Sequence, residues 1–143
     1  MLDTMVDIRK KAHPNCVACS LSNAYGMQLD FVPSENGDVV APFKCSDKYE
    51  SFPGILHGGV ISTILDSAMT NCLFAHGYVA VTAEFRVQYR HPVAIDQLTI
   101  ARAWITYSIS PVHELKAEIV QKGQVKTIAS GRFMEQPQWL NKT

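Results

Sequence analysis

Apolar and polar residues alternate most strictly from Thr82 to Arg90. Ala83, Phe85, Val87 and Tyr89 fall on one side, and Glu84, Arg86, Gln88 and Arg90 on the other. That period of two predicts a half-buried strand, ended by His91-Pro92. Further strands are expected over about 97–107, 112–121 and 125–134, with Lys122-Gly123-Gln124 as a tight turn between the last two. Upstream, Met27–Phe31 alternates and Val39–Phe43 is apolar, so the two read as a hairpin around the turn cluster Ser34-Glu35-Asn36-Gly37-Asp38. Residues 4–12 predict a short amphipathic helix, broken at Pro14. The expected order is helix, two strands, one long helix, four strands. Strands that follow one another without intervening helices imply an antiparallel sheet.

The long helix runs from about Gly58 to Ala75, where Val60, Ile61, Ile64, Leu65, Ala68, Met69 and Cys72 recur at helical spacing. Gly77 is its natural stop. Its other arc carries Ser62, Thr63, Asp66, Ser67 and Thr70 in place of the Lys, Glu and Arg of a solvated face. From Ser51 through Ala83 the only formal charge is Asp66. The helix is therefore expected to be covered on most sides, its second arc by a loop or a partner. Asp66 must then be hydrogen-bonded, paired or functional, because an unpaired buried charge costs several kcal/mol.

Composition narrows the class. The chain has 143 residues, 47% of them hydrophobic and 18% charged, with 13 basic and 13 acidic side chains. This suits one domain spanning 1–143 and excludes disorder. Balanced charge gives no reason to expect a nucleic-acid partner. Neither a signal peptide nor a membrane span is expected, so Cys16, Cys19, Cys45 and Cys72 should be thiols in the cytoplasm. Cys16-x-x-Cys19 with His13 and Cys45 could be assembled into a zinc site, but the gap to a single further Cys is poor spacing. Buried or partly exposed thiols and no metal are the expectation. Trp104 and Tyr107 are expected as packing residues of a core-forming strand, and Trp139 as cover for an edge or a partner.

The run Pro53-Gly54-Ile55-Leu56-His57-Gly58-Gly59-Val60-Ile61-Ser62-Thr63-Ile64-Leu65-Asp66 resembles the signature of hotdog-fold thioesterases, of the PaaI-like and 4-hydroxybenzoyl-CoA thioesterase group. In that signature an HGG turn opens the central helix and an acidic residue follows nine positions after the His. Cys16-Val17-Ala18-Cys19 followed by Gly26-Met27-Gln28-Leu29 looks like the start of a Cys-pair subgroup, and Val81–Val93 like the strand after the helix. The resemblance implies an α+β hotdog fold, an antiparallel sheet wrapped around one long helix. It also implies an acyl-CoA thioesterase needing no cofactor and working as a homodimer or a pair of dimers.

By resemblance, the Gly58 amide would bind the thioester carbonyl oxygen, helped by the positive end of the helix dipole. Asp66 would attack the carbonyl or activate a water. Thr82 matches a hydroxyl position placed near the acid across the dimer interface. His57, Gly59 and Ser51 would contact substrate. Ser51 departs from a carboxamide found there in some relatives, and Ser67 from an acid common in the Cys-pair subgroup. A His57–Asp66 dyad is rejected, because nine helical residues set them half a turn apart and roughly 13 Å along the axis. His57 is expected instead to fix the turn or line the site mouth. Arg86, Arg90, His91 and Arg132 are open candidates for the CoA phosphates. The rival readings are a non-catalytic acyl-CoA-binding hotdog domain and an acyl-CoA or acyl-carrier-protein hydratase-dehydratase.

Overall fold

The computed structural model describes residues 1–140, without the side chains of Pro137 and Leu140. Helix α1 (Leu2–Ala12) is followed by strands β1 (Val32–Pro33) and β2 (Val39–Phe43), helix α2 (Gly58–Ala75), and strands β3 (Ala80–Tyr89), β4 (Thr99–Ile109), β5 (Val112–Gln121) and β6 (Gln124–Glu135). The strands form one sheet in the order β1-β2-β4-β5-β6-β3, and every pair is antiparallel. This is the α+β arrangement implied by the sequence, a sheet packed about one long helix. Among the described residues, no helix is long and apolar enough to cross a membrane.

Helix α2 lies on one face of the sheet and packs on β2 to β6. Its Ile64, Leu65, Ala68, Met69, Cys72 and Leu73 are fully buried, against Ala101, Ala103, Leu115, Ala117, Ile119 and Phe133 of the sheet. Each such large aliphatic side chain contributes about 1.5–3 kcal/mol by leaving water. The sheet residues under the helix are often small so that the backbones can approach. At Gly131 the fit is closest, where a Cβ would lie 2.8 Å from Met69 Sδ and 2.9 Å from Phe133 Cε1.

Both ends of α2 and the β5–β6 turn follow the expectation. Gly77, at φ +87°, stops the helix, and Lys122–Gly123, both with positive φ, make the primed type of two-residue turn that suits twisted strands. The second arc of α2 is covered partly by the chain itself. Helix α1 packs on it, and the buried Arg9 guanidinium donates to Asn71 Oδ1 at 3.4 Å and to the Phe31 carbonyl at 3.5 Å.

Three expectations are corrected. Met27–Phe31 keeps its alternating burial, with Leu29 and Phe31 inside, but is not a ladder strand. The Met27 and Leu29 amides donate to the Val17 and Ala18 carbonyls at 2.7 and 2.8 Å, so the segment pairs with the Cys-pair turn. Strand β1 keeps only Val32 and Pro33, since Pro33 has no N–H to extend the ladder. In β3 the strict alternation breaks at Ala83, where the register shifts between Thr82 and Glu84. Trp104 and Tyr107 lie outside the core. Trp104 is half-buried beneath the Arg102 guanidinium, 4.5 Å from its ring, and Tyr107 is 45% exposed. Trp139 sits in a 3₁₀ turn (Pro137–Leu140) that packs against α1.

Candidate active site

The one side of α2 left open is a stripe, Gly59, Ser62, Thr63 and Asp66, spaced as one helical face. Edge strand β3 lies beside it. The bulge at Ala83 turns Thr82 toward the helix, because Thr82 pairs with inward-facing Phe133 while Glu84 pairs with Arg132. Bulges re-aim side chains in this way. The Thr82 hydroxyl donates to Asp66 Oδ1 at 2.5 Å. This contact is made within one chain, which corrects the expected contact across a subunit interface.

Asp66 is half-buried. Burial pushes its carboxyl pKa above the ordinary carboxylate range, while the Thr82 hydrogen bond and nearby His13 pull it down and Cys16 pushes it up. It is the sole carboxyl on the open stripe.

At the other end of the stripe, His57 is the N-cap of α2, and its Nδ1 accepts the Gly59 amide at 2.8 Å. His57 therefore fixes the turn, as expected, and makes no pair with Asp66. The same bond occupies the Gly59 amide, while Gly59 itself stays exposed on the open stripe. The amide of Gly58 meets no acceptor among the described residues, so it is the open donor at the positive end of the helix. Ser51 bonds back into its own loop, its amide and hydroxyl both donating to the Ile55 carbonyl at 2.9 and 3.4 Å.

Tyr89 is a site residue that sequence reasoning passed over. Its hydroxyl donates to the Gly58 carbonyl at 3.0 Å and lies 2.5 Å from Ser62 Oγ. With its one proton on Gly58, the Tyr89 oxygen receives the proton of Ser62. The signal was present in the sequence, since Tyr89 shares its side of β3 with Phe85 and Val87. The arginines weighed for CoA phosphates stand elsewhere. Arg86 and Arg90 line a cavity of about 440 Å³ with Trp104 and Lys116, on the sheet face away from α2. Arg132 is paired with Glu84 at 2.9 Å and Glu114 at 3.5 Å.

All four cysteines are free thiols, as expected. His13, Cys16 and Cys19 converge, and Cys45 does not join them among the described residues. The Cys19 side chain, hydrogen-bonded to Cys16, holds the Cys16 pKa below the ordinary thiol range, and the same contact together with burial pushes Cys19 above it.

The thioesterase superfamily model matches residues 53–128, from the loop before α2 into β6. The chain belongs to the thioesterase superfamily. Its curated relatives include acyl-coenzyme A thioesterase 13 of Homo sapiens, 22% identical over 107 residues that cover 73% of this chain and 76% of that protein. Acyl-coenzyme A thioesterase THEM4 of Mus musculus is 32% identical over 65 residues, 46% of this chain and 28% of that protein. The rat and bovine THEM4 proteins are likewise matched over only 28% and 32% of their length. Among solved structures, the thioesterase superfamily protein RHA08564 superposes with a TM-score of 0.78 at 20% identity, covering 82% of this chain and 62% of that one. The E. coli PaaI protein from the phenylacetic acid degradation operon gives 0.70 at 16% identity, covering 76% and 83%. So does smu.793 of Streptococcus mutans bound to acetyl CoA, at 19% identity, covering 76% and 88%. The thioesterase fold here is thus the hotdog arrangement.

Proposed function

We propose that this chain is one thioesterase domain that hydrolyses an acyl-CoA to the free carboxylic acid and CoA. The observation that carries the reading is Asp66, a half-buried carboxylate on the open stripe of α2 with the Thr82 hydroxyl bonded to it. The superfamily match and the acyl-CoA thioesterases among the relatives support the same activity, and the acetyl-CoA held by a protein of the same fold supports the substrate class.

In this reading the thioester carbonyl oxygen accepts the Gly58 amide, and the negative charge that develops on it is met by the positive end of α2. Asp66 removes a proton from a water held by Thr82, and the water oxygen bonds to the carbonyl carbon. The tetrahedral centre collapses, the C–S bond breaks, and the CoA sulfur leaves with the proton. Alternatively, the carboxylate itself attacks and expels the thiolate, and water then hydrolyses the mixed anhydride, freeing the acid and Asp66 and supplying the proton that the thiolate takes. His57, by capping Gly59, and Tyr89, by holding the Gly58 carbonyl, position the donor.

Gly58 and Asp66 are separated by roughly 12 Å along their helix, while each must come within about 3 Å of the reacting group. One carbonyl cannot meet both in a single chain. The Gly58 of one copy therefore works with the Asp66 of another, which makes a homodimer, with a dimer of dimers as the next level, part of the proposal. Strand β3 supports this, as an edge strand beside the open stripe.

The test is release of free thiol from a panel of aromatic, short-chain and long-chain acyl-CoAs. Turnover of at least one class is expected. Binding of acyl-CoA without release from any of them would replace the proposal with a non-catalytic binding domain.

A further inference from the structure

One side-chain cluster outside the open stripe carries metal-ligand chemistry that hydrolysis does not use. The C-terminal end of α1 and the turn after it bring His13 Nδ1, Cys16 Sγ and Cys19 Sγ within 4.8 Å of one another. We propose that this chain binds one Zn²⁺ through His13, Cys16 and Cys19.

The distances suit the ion. Tetrahedral zinc, with bonds of about 2.3 Å to sulfur and 2.0–2.1 Å to nitrogen, sets a sulfur and a nitrogen ligand about 3.6 Å apart. His13 Nδ1 and Cys19 Sγ lie 3.6 Å apart. The Ala18 and Cys19 amides both donate to Cys16 Sγ at 3.4 Å, an arrangement that favours the thiolate a metal needs.

The ligands are also held in place before any ion arrives. His13 caps α1, its amide donating to the Arg9 carbonyl at 2.8 Å, and its ring meets Phe74 edge-on at 5.0 Å. The Cys turn is pinned by the Ser20 hydroxyl on the Pro14 carbonyl at 2.8 Å, and by the amides of Met27 and Leu29 on Val17 and Ala18. Pre-ordered ligands lose little entropy on binding.

Two neighbouring thiolates repel, and a dication cancels their charge with the imidazole neutral. Two thiolates and an imidazole favour zinc over magnesium or calcium. Among the described residues no fourth His, Cys, Asp or Glu joins the cluster. Since Cys16 and His13 are half-exposed, water takes the fourth position. The ion would close the turn that follows α1, the turn to which the 27–31 segment is bonded. A Cys16–Cys19 disulfide is the rival occupant, and it would leave the imidazole nitrogen facing sulfurs with no charge to share.

The test uses the full chain, purified under reducing conditions, stripped with a chelator and titrated with Co²⁺. One equivalent should give thiolate-to-cobalt charge-transfer absorption that Zn²⁺ removes. Cys16→Ser and His13→Ala should lose it, and Cys45→Ser should keep it. Cys16 and His13 are chosen because they are not fully buried. As a second measurement on the unaltered chain, Zn²⁺ should raise Tm by about several degrees and slow the reaction of Cys16 with a thiol reagent. Absence of the charge-transfer band, its persistence in Cys16→Ser, or a Cys16–Cys19 disulfide that survives the reducing purification would each overturn the site. None of these readouts depends on thioester hydrolysis, so the two proposals stand or fall separately.

Discussion

A carboxylate at the position of Asp66 is pulled two ways. Lost hydration favours the protonated acid, and the Thr82 hydroxyl favours the anion. Removing the hydroxyl should therefore push the Asp66 pKa further up. In Thr82→Val the acid limb of the rate–pH profile should move to higher pH, since Asp66 works ionised as base or nucleophile. A uniformly lowered profile with an unmoved limb would argue against the contact. The same shift has a consequence for stability. With the folded pKa above the unfolded one, the contribution of Asp66 is fully present below the unfolded carboxylate pKa and is lost as pH rises through the folded value. An amide cannot ionise. Thermal melts of Asp66→Asn and wild type should diverge as pH rises from mild acid to neutrality, the variant being the more stable. A difference independent of pH would contradict this.

At the scale of elements, the approach of α2 to the sheet and the capping of its first turn set the site. Gly131→Ala places a methyl against Met69 and Phe133, and overpacking of that kind costs about 1–3 kcal/mol, readable by denaturant unfolding. His57→Ala removes the acceptor of the Gly59 amide. Loss of a cap costs about 1 kcal/mol, or about 3 °C in Tm, and His57→Asn should restore most of it. The helix, the turns and the sheet order after α2 were legible because period and punctuation are local properties. The bulge at Ala83 was not, because apolar and polar residue types go on alternating through it in the sequence and only pairing with β6 exposes the extra residue. The 27–31 segment misled for the converse reason. Its alternation is real, but its amides are taken by Val17 and Ala18, partners that only the folded chain supplies.

For the molecule as a whole, Asp66, Gly58 and the HGG turn could be singled out from sequence, since charge on an otherwise uncharged helix and a signature turn are visible there. The side of β3 that carries Tyr89 was visible in the alternation, but its contact with Gly58 only once β3 lay along α2, and the His13–Cys16–Cys19 cluster only once the turn after α1 closed on itself. Spacing alone had argued against a cluster because it offered a distant Cys45 as the completing ligand. The separation of Gly58 from Asp66 on one helix makes assembly part of the chemistry. Sedimentation equilibrium should give a particle of two chains or a multiple of two, and an active monomer would refute the shared site. The most direct measurement is the rate of CoA release from the best acyl-CoA by Asp66→Asn beside wild type, with both confirmed in the same assembly. A fall of about 10²–10⁴-fold or more is predicted, the range that a positioned acid–base group supplies. A variant within a few-fold of wild type would contradict the central claim and move the chemistry away from Asp66.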